Sequence, residues 1–234
     1  MKLLDGLFKS TLGRKFLMAL SGAALVLFVI GHLVGNLQIF GPPEMINHYG
    51  AFLHSKPAML WSVRLGLLGI IGVHIWSAIS LSHANKAARP VAYANWNPTV
   101  ATYASRTMLM SGLIIATFIV YHLLHYTAQV PAINFTGQDF TAFKDAEGHA
   151  DVYRMMITGF RQPLVAVFYM VAVGLLCLHL SHGVSAAFQS LGLKNKSVGP
   201  ILDKASKGFA VVIFLGYASI PAAVLLGLGK ELVK

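Results

Sequence analysis

Residues 17–40 read LMALSGAALVLFVIGHLVGNLQIF, and the fold turns on whether this run is a removable leader or a permanent helix. It is longer than the about 7–15 apolar residues of a secretory leader core. It also satisfies the roughly 20 residues that a helix needs to cross an about 30 Å hydrocarbon layer. His32 and Asn36 within it are foreign to a leader core. The stretch therefore reads as a retained membrane-spanning helix.

Outward from it, four further stretches have the same length and character: 60–84, 107–128, 163–189 and 208–229. Their glycines and Pro221 are compatible with spanning helices, where both residue types are commoner than in soluble ones. The composition agrees. Of 234 residues 56% are hydrophobic and 11% charged, against roughly 25% charged in a soluble domain, and the mean hydropathy is +0.67. This excludes an ordinary soluble protein and a disordered one. The expected fold is an all-α integral membrane protein, a five-helix bundle forming one domain over residues 1–234. Residues 1–16, with Lys2, Lys9, Arg14 and Lys15, read as a basic amphipathic segment at the lipid surface.

The formal charge of +10 needs no nucleic-acid partner, because the basic residues bracket apolar runs and form no patch. Eleven of them (Lys2, Lys9, Arg14, Lys15, Lys86, Arg89, Arg106, Lys194, Lys196, Lys204 and Lys207) fall on one side of the five spans. Seven (Lys56, Arg64, Lys144, Arg154, Arg161, Lys230 and Lys234) fall on the other, together with Asp139, Asp145, Glu147 and Asp151. The richer side is the cytoplasmic one, so the N-terminus is expected in the cytoplasm and the C-terminus outside. The 129–162 loop, with Pro131, Gly137 and Gly148, reads as irregular.

The single cysteine, Cys177, rules out an internal disulfide, covalent haem attachment through a Cys-x-x-Cys-His motif, and a four-thiolate cluster. Ten histidines are the unusual feature. His32, His74, His122, His125, His179 and His182 lie inside four of the five spans, where an ionisable side chain is costly and commonly functional. Four helices each offering an imidazole suit a metal cofactor held between facing helices. Haem ligated by two neutral imidazoles is the natural candidate. Gly31, Gly35, Gly69, Gly72 and Gly183 would let a flat cofactor approach the backbone, or let helices pack closely.

Depth along the helices sorts these residues. His32 follows Lys15 by 17 residues and His122 follows Arg106 by 16, so both lie roughly 25 Å from the cytoplasmic boundary at about 1.5 Å per residue. His74 precedes Lys86 by 12 residues and His179 precedes Lys194 by 15, roughly 18 and 22 Å on the same scale. His182, at 12 residues before Lys194, matches His74 better than His179 does. Spacing leaves that choice open.

Four motifs, RKFLMALSGAALVLFVIGHLVGN (14–36), VHIWSAISLSHANKAARP (73–90), SGLIIATFIVYHLLHYT (111–127) and HLSHGVSAAFQSLG (179–192), resemble in order and helix placement the single-chain, five-helix, di-haem cytochrome b subunit of succinate dehydrogenase and fumarate reductase. The resemblance covers nearly the whole chain. It implies two b haems stacked across the inner (cytoplasmic) membrane, passing electrons between an iron–sulfur subunit and a membrane quinone, expected to be menaquinone, with a flavoprotein subunit completing the complex. The family's fourth-helix pattern of ligand His, three residues, then Gly is met by His179 and Gly183. The resemblance thus assigns His32 and His122 to the outer haem, and His74 and His179 to the inner one. Where one branch of the family has a proton-conducting glutamate two residues before the fourth-helix ligand, this chain has Cys177.

Arg64, Arg106, Ser21 and His182 are candidate contacts for haem propionates, since arginine pairs carboxylates bidentately, and His125 is a further polar neighbour. Asn36, Gln38, Glu44, His48 and His54 are candidates for quinone proton exchange, and His83 reads as a solvated helix end. No nucleotide or flavin fingerprint and no cluster cysteines are present, so the dicarboxylate chemistry would belong to partner chains. Those chains are expected to dock on loops 85–106 and 190–207. The competing expectations are a cytochrome b of another respiratory complex, such as a hydrogenase or formate dehydrogenase, and a haem-free transporter of protons or metals.

Overall fold

The computed structural model describes residues 2–89, 91 and 102–233, and its regular structure is helical. Among the described residues the one β-type pairing is an isolated bridge between Lys144 and Ala150. The helices are α1 (Lys2–Lys9), α2 (Thr11–Asn36), α3 (Pro43–His54), α4 (Pro57–Ala87), α5 (Tyr103–Arg106), α6 (Met108–His122), α7 (Val152–Phe160), α8 (Pro163–Ser190) and α9 (Gly199–Leu226). A 3₁₀ turn, Leu37–Phe40, extends α2, and a π turn, Leu123–Thr127, extends α6. Five stretches are long and apolar enough to cross a membrane: Thr11–Phe40, Pro57–Ala87, Met108–Thr127, Pro163–Ser190 and Gly199–Leu226. Large apolar side chains such as Leu27, Leu65 and Leu164 remain exposed on them, as lipid-facing residues are.

Local chemistry sets the helix ends. Proline occupies the first position of α3, α4 and α8, where its missing N–H is no loss. The Asp151 carboxylate accepts the Arg154 amide at 2.9 Å and caps α7. Gly192 (φ +75°) and Gly227 (φ +117°) end α8 and α9. In both cases the next residue's amide reaches five residues back, Leu193 to the Phe188 carbonyl and Leu228 to that of Ala223, both at 2.9 Å, which is the Schellman termination.

The structure shifts several expected boundaries. α2 begins at Thr11 and α9 at Gly199, outside the expected 17–40 and 208–229. Hydropathy ends with the hydrocarbon, whereas backbone hydrogen bonding continues through the charged turns carrying Arg14 and Lys15, or Asp203, Lys204 and Lys207. The last span also stops at Leu226 because Gly227 adopts a left-handed conformation. The expected surface segment 1–16 is α1 plus the first turns of α2. The stretch after the first span is helical (α3), and the 129–162 loop contains α7. Both helices are too short to register as spans.

Contacts group the chain into two compact units. The first comprises Met1–Val29, Arg64–Leu113 and Leu178–Ala210, the second Ile30–Val63, Ile114–Cys177 and Val211–Lys234.

In the first unit α1 folds back on α2 at Ser10. Gly13 accommodates this turn, since a Cβ there would run into the backbone of Gly6 and Leu7. The Phe8 ring lies 5.6 Å from Trp76, and Arg14 Nη1 donates to the Ser80 carbonyl at 3.3 Å. Its buried residues are small: Ala19, Leu81, Leu180 and Ala210, with Ser21, Ser77, Ser111, Ser185 and Ser206.

In the second unit a continuous apolar core joins Ile39 and Ile46 to Tyr153, Met156, Ile157 and Phe160, to Val165, Ala166 and Tyr169, and to Ile220 and Val224. Asn47, buried in α3, pins α7. Its amide donates to Asp151 Oδ1 at 3.0 Å, and its oxygen accepts the Tyr153 amide at 2.9 Å.

Candidate functional site

Each unit contains one histidine pair. In the first, the rings of His74 (α4) and His179 (α8) have centroids 6.4 Å apart at 62°. Both are held in the same way. Ser21 Oγ lies 3.1 Å from His74 Nδ1, and Ser111 Oγ lies 3.2 Å from His179 Nδ1. Ser21 already donates its hydroxyl proton to the Leu17 carbonyl at 2.6 Å, and Ser111 donates to that of Met108 at 3.1 Å. A serine has one proton to give; with that proton on the backbone carbonyl, each oxygen is left to accept from Nδ1–H. That selects the tautomer whose Nε2 carries a free lone pair, which is how outer hydrogen bonds prepare a metal-binding imidazole.

The residue after each serine is glycine. A Cβ on Gly22 would stand 3.2 Å from His74 Cε1, and one on Gly112 would stand 3.4 Å from His179 Cε1. Ser-Gly at 21–22 and again at 111–112 therefore does two jobs, with the hydroxyl orienting a ring and the bare α-carbon making room for it.

In the second unit His32 (α2) and His122 (α6) have ring centroids 5.7 Å apart at 82°. Asn36 donates to the His32 carbonyl at 2.7 Å and lies 3.4 Å from its Nδ1. The Tyr169 hydroxyl stands between two imidazoles, 3.3 Å from His122 Nδ1 and 3.0 Å from His125 Nδ1. One phenolic proton can serve only one of them, so at least one Nδ1 is itself a donor. His125 is wholly buried, stacked on Tyr126 at 4.0 Å, and sits in the π turn that ends α6. Such turns are frequent at functional sites.

Whether these pairs fit an iron porphyrin is a matter of spacing and room. Two imidazole nitrogens each about 2.0–2.1 Å from a shared metal put their ring centres roughly 6 Å apart, and the two observed separations lie on either side of that value. Beside Ser21 runs an apolar groove of about 400 Å³ whose lining includes Ala24, Gly66, Gly69 and Val73. A Cβ on Gly66, Gly69 or Gly72 would meet nothing within 4 Å. The donor set and the groove both suit a flat, apolar, iron-bearing group.

The other expected site residues are scattered. Ser21 lies against His74. Arg106 is exposed at the end of α5, while Arg64 and His182 are half-buried. Gln38 is half-buried in the 3₁₀ turn, and Glu44, His48 and His54 are exposed on α3. His54 Nδ1 is 2.8 Å from the Gly50 carbonyl, and His83 is exposed. Of the expected docking loops, residues 90 and 92–101 lie outside the described residues. In the other loop Lys194 donates to Asp203 at 2.7 Å and to Ser185 at 2.9 Å.

Sequence reasoning missed Tyr169, Ser111, Gly22 and Gly112. The Ser-Gly step repeated inside two His-bearing helices, α2 and α6, was the available signal for three of them. Comparison of the chain with protein-family models, with curated proteins and with solved structures finds no match in any of the three.

Proposed function

We propose that this chain is the membrane-anchor cytochrome b subunit of a succinate:quinone oxidoreductase, a succinate dehydrogenase or fumarate reductase. It would lie in the inner (cytoplasmic) membrane with its N-terminus in the cytoplasm and its C-terminus outside. The observation that carries the reading is the pairing of four intramembrane imidazoles, 5.7 and 6.4 Å between ring centres, in a chain without cysteine clusters. His32 and His122 would hold one b haem and His74 and His179 a second. Bound there, a b haem supplies a one-electron carrier between the iron–sulfur subunit and a membrane quinone, menaquinone by expectation.

The chain's own residues supply the rest. Ser21 and Ser111 keep Nδ1 of His74 and His179 protonated and Nε2 free. Tyr169 orients His122 and ties it to His125. The apolar spans exclude water, which leaves the imidazoles no competing aqueous ligand. Arg64, Arg106 and His182 are proposed for haem propionates. Asn36, Gln38, Glu44, His48 and His54 are proposed for proton exchange with the quinone. The basic segments 85–106 and 190–207 are proposed to dock the iron–sulfur and flavoprotein subunits, which carry the succinate chemistry.

A reduced-minus-oxidised spectrum of the protein purified with its partners tests this. About two b haems per chain, reducible by succinate, is the expected result. Two haems indifferent to succinate would move the chain to another respiratory complex. The absence of haem would leave the histidines to a proton or metal pathway.

A further inference from the structure

Residues 145–149, in the loop before α7, read DAEGH and form a closed turn. The Asp145 amide donates to the His149 carbonyl at 3.0 Å and the Gly148 amide to that of Asp145 at 3.1 Å. The Lys144–Ala150 bridge forms the base, and Gly148 takes a φ of +82° that other residues disfavour. Asp145 Oδ1 accepts the amides of Glu147 at 3.1 Å and His149 at 2.8 Å, so one carboxylate oxygen organises the turn.

The other oxygen has no such role. Asp145 Oδ2 is buried and accepts no hydrogen bond, in a side chain only 8% exposed. A buried carboxylate oxygen left in this state is costly. His149 Nδ1 lies 3.7 Å from Asp145 Oδ2, beyond hydrogen-bond distance. One ligand atom each from Asp145, Glu147 and His149 fall within 4.8 Å of one another. From α3, His48 brings Nε2 to 3.7 Å from Glu147 Oε2. Donors about 2.0–2.2 Å from a tetrahedral ion stand roughly 3.3–3.5 Å apart, so the two 3.7 Å pairs need to contract by a few tenths of an ångström and the widest separation within the group by up to about 1.4 Å. A cleft of about 400 Å³, lined in part by His54, Lys144, Gly148 and His149, opens beside the cluster.

We propose that Asp145, Glu147 and His149, with His48 as fourth donor, form a binding site for a divalent cation of the zinc type. Two imidazoles and two carboxylates suit zinc in donor chemistry, and the two negative charges balance the ion. The backbone-locked turn presents three of the donors already gathered. None of the paired histidines takes part in the site, whose residues lie in a loop and in α3; it shares only His48 with the residues proposed for the quinone.

The test uses the full-length protein purified in detergent, stripped of metal with EDTA and titrated calorimetrically with Zn²⁺. About one equivalent per chain is expected to bind. Glu147→Gln and His149→Ala should each weaken binding at least tenfold, and His48→Ala should weaken it by less. Glu147 and His149 are exposed, so their replacement leaves folding and visible absorbance intact. Zinc taken up by intramembrane histidines would persist undiminished in Glu147→Gln and His149→Ala. That result, or no zinc uptake by the unaltered protein, overturns the proposal.

Discussion

Around His74 and His179 the supports are serine hydroxyls, and the buried apolar side chains of that unit are two alanines and two leucines. Around His32 and His122 they are rings. Tyr169 bridges His122 and His125, Phe118 lies 5.0 Å from Tyr169, Tyr217 lies 6.2 Å from His32, and a core of larger side chains continues beyond them. The first arrangement orients each imidazole separately through its own serine hydroxyl and leaves open space at neighbouring glycines. The second locks one imidazole into a packed polar–aromatic network. Similar ring separations are thus reached through a sparse, serine-lined environment and through a dense one, and the two should respond differently to the same kind of substitution.

The largest effect should come from the imidazoles themselves. On the proposed di-haem reading, His32→Ala or His122→Ala should take the haem content from about two per chain to about one, and His74→Ala or His179→Ala should remove the other. Haem quantification and difference spectra would show which is lost. Loss on His182→Ala but not on His179→Ala would reassign the fourth-helix ligand.

Next comes the tyrosine of the dense unit. Tyr169→Phe keeps the ring packing but deprives the imidazoles of His122 and His125 of their shared partner, and an unsatisfied buried polar group costs about 1–3 kcal/mol. A lowered thermal midpoint in detergent is expected, with the haem of that unit the first released. An unchanged midpoint would mean that the hydroxyl bridge contributes nothing.

Gly159→Ala probes the same network from behind. Its Cβ would come within 2.5 Å of Tyr126 Oη and 3.2 Å of His125 Nε2, so overpacking of about 1–3 kcal/mol is expected. Gly112→Ala in the sparse unit, with 3.4 Å to His179 Cε1, should cost clearly less. Equal losses of stability in the two variants would erase the contrast between dense and open surroundings.

Smaller in stability but distinct in signature is Ser111→Ala. Losing one net hydrogen bond costs about 1 kcal/mol. Without its Nδ1–H acceptor the His179 imidazole becomes a weaker base, so the midpoint potential of one haem should rise while that of the other holds. A redox titration in which both potentials move together would count against separate support. Gly69→Ala comes last: its Cβ meets no protein atom within 4 Å, so stability of the cofactor-free chain should not fall, and any loss of haem would report contact with the cofactor itself.

The spans were readable because lipid demands a long local average of apolar residues, and any window along the chain measures that average. Their ends were not, since Arg14, Lys15, Asp203 and Lys204 lower the average while leaving helical hydrogen bonding untouched. α3 and α7 escaped notice because a helix of 12 or 9 residues is marginal alone and depends on tertiary packing, such as the Asn47 bonds to Asp151 and Tyr153. The intramembrane histidines stood out because an ionisable group in lipid is costly wherever it falls.

The sequence by itself determined that five segments are long and apolar enough to cross a membrane and that four of them carry an imidazole, both of which are properties of single segments. Depth, counted residue by residue, is one coordinate along one helix and could not choose between His179 and His182. Only the tertiary structure decided which hydroxyl meets which Nδ1, because Ser21 reaches a ring 53 residues away, Ser111 one 68 away and Tyr169 one 47 away. The same holds for the buried Asp145 oxygen, whose isolation depends on what the rest of the fold packs around it. Hydrogen bonds of that range depend on rotation and register between helices, which no local average of the chain encodes.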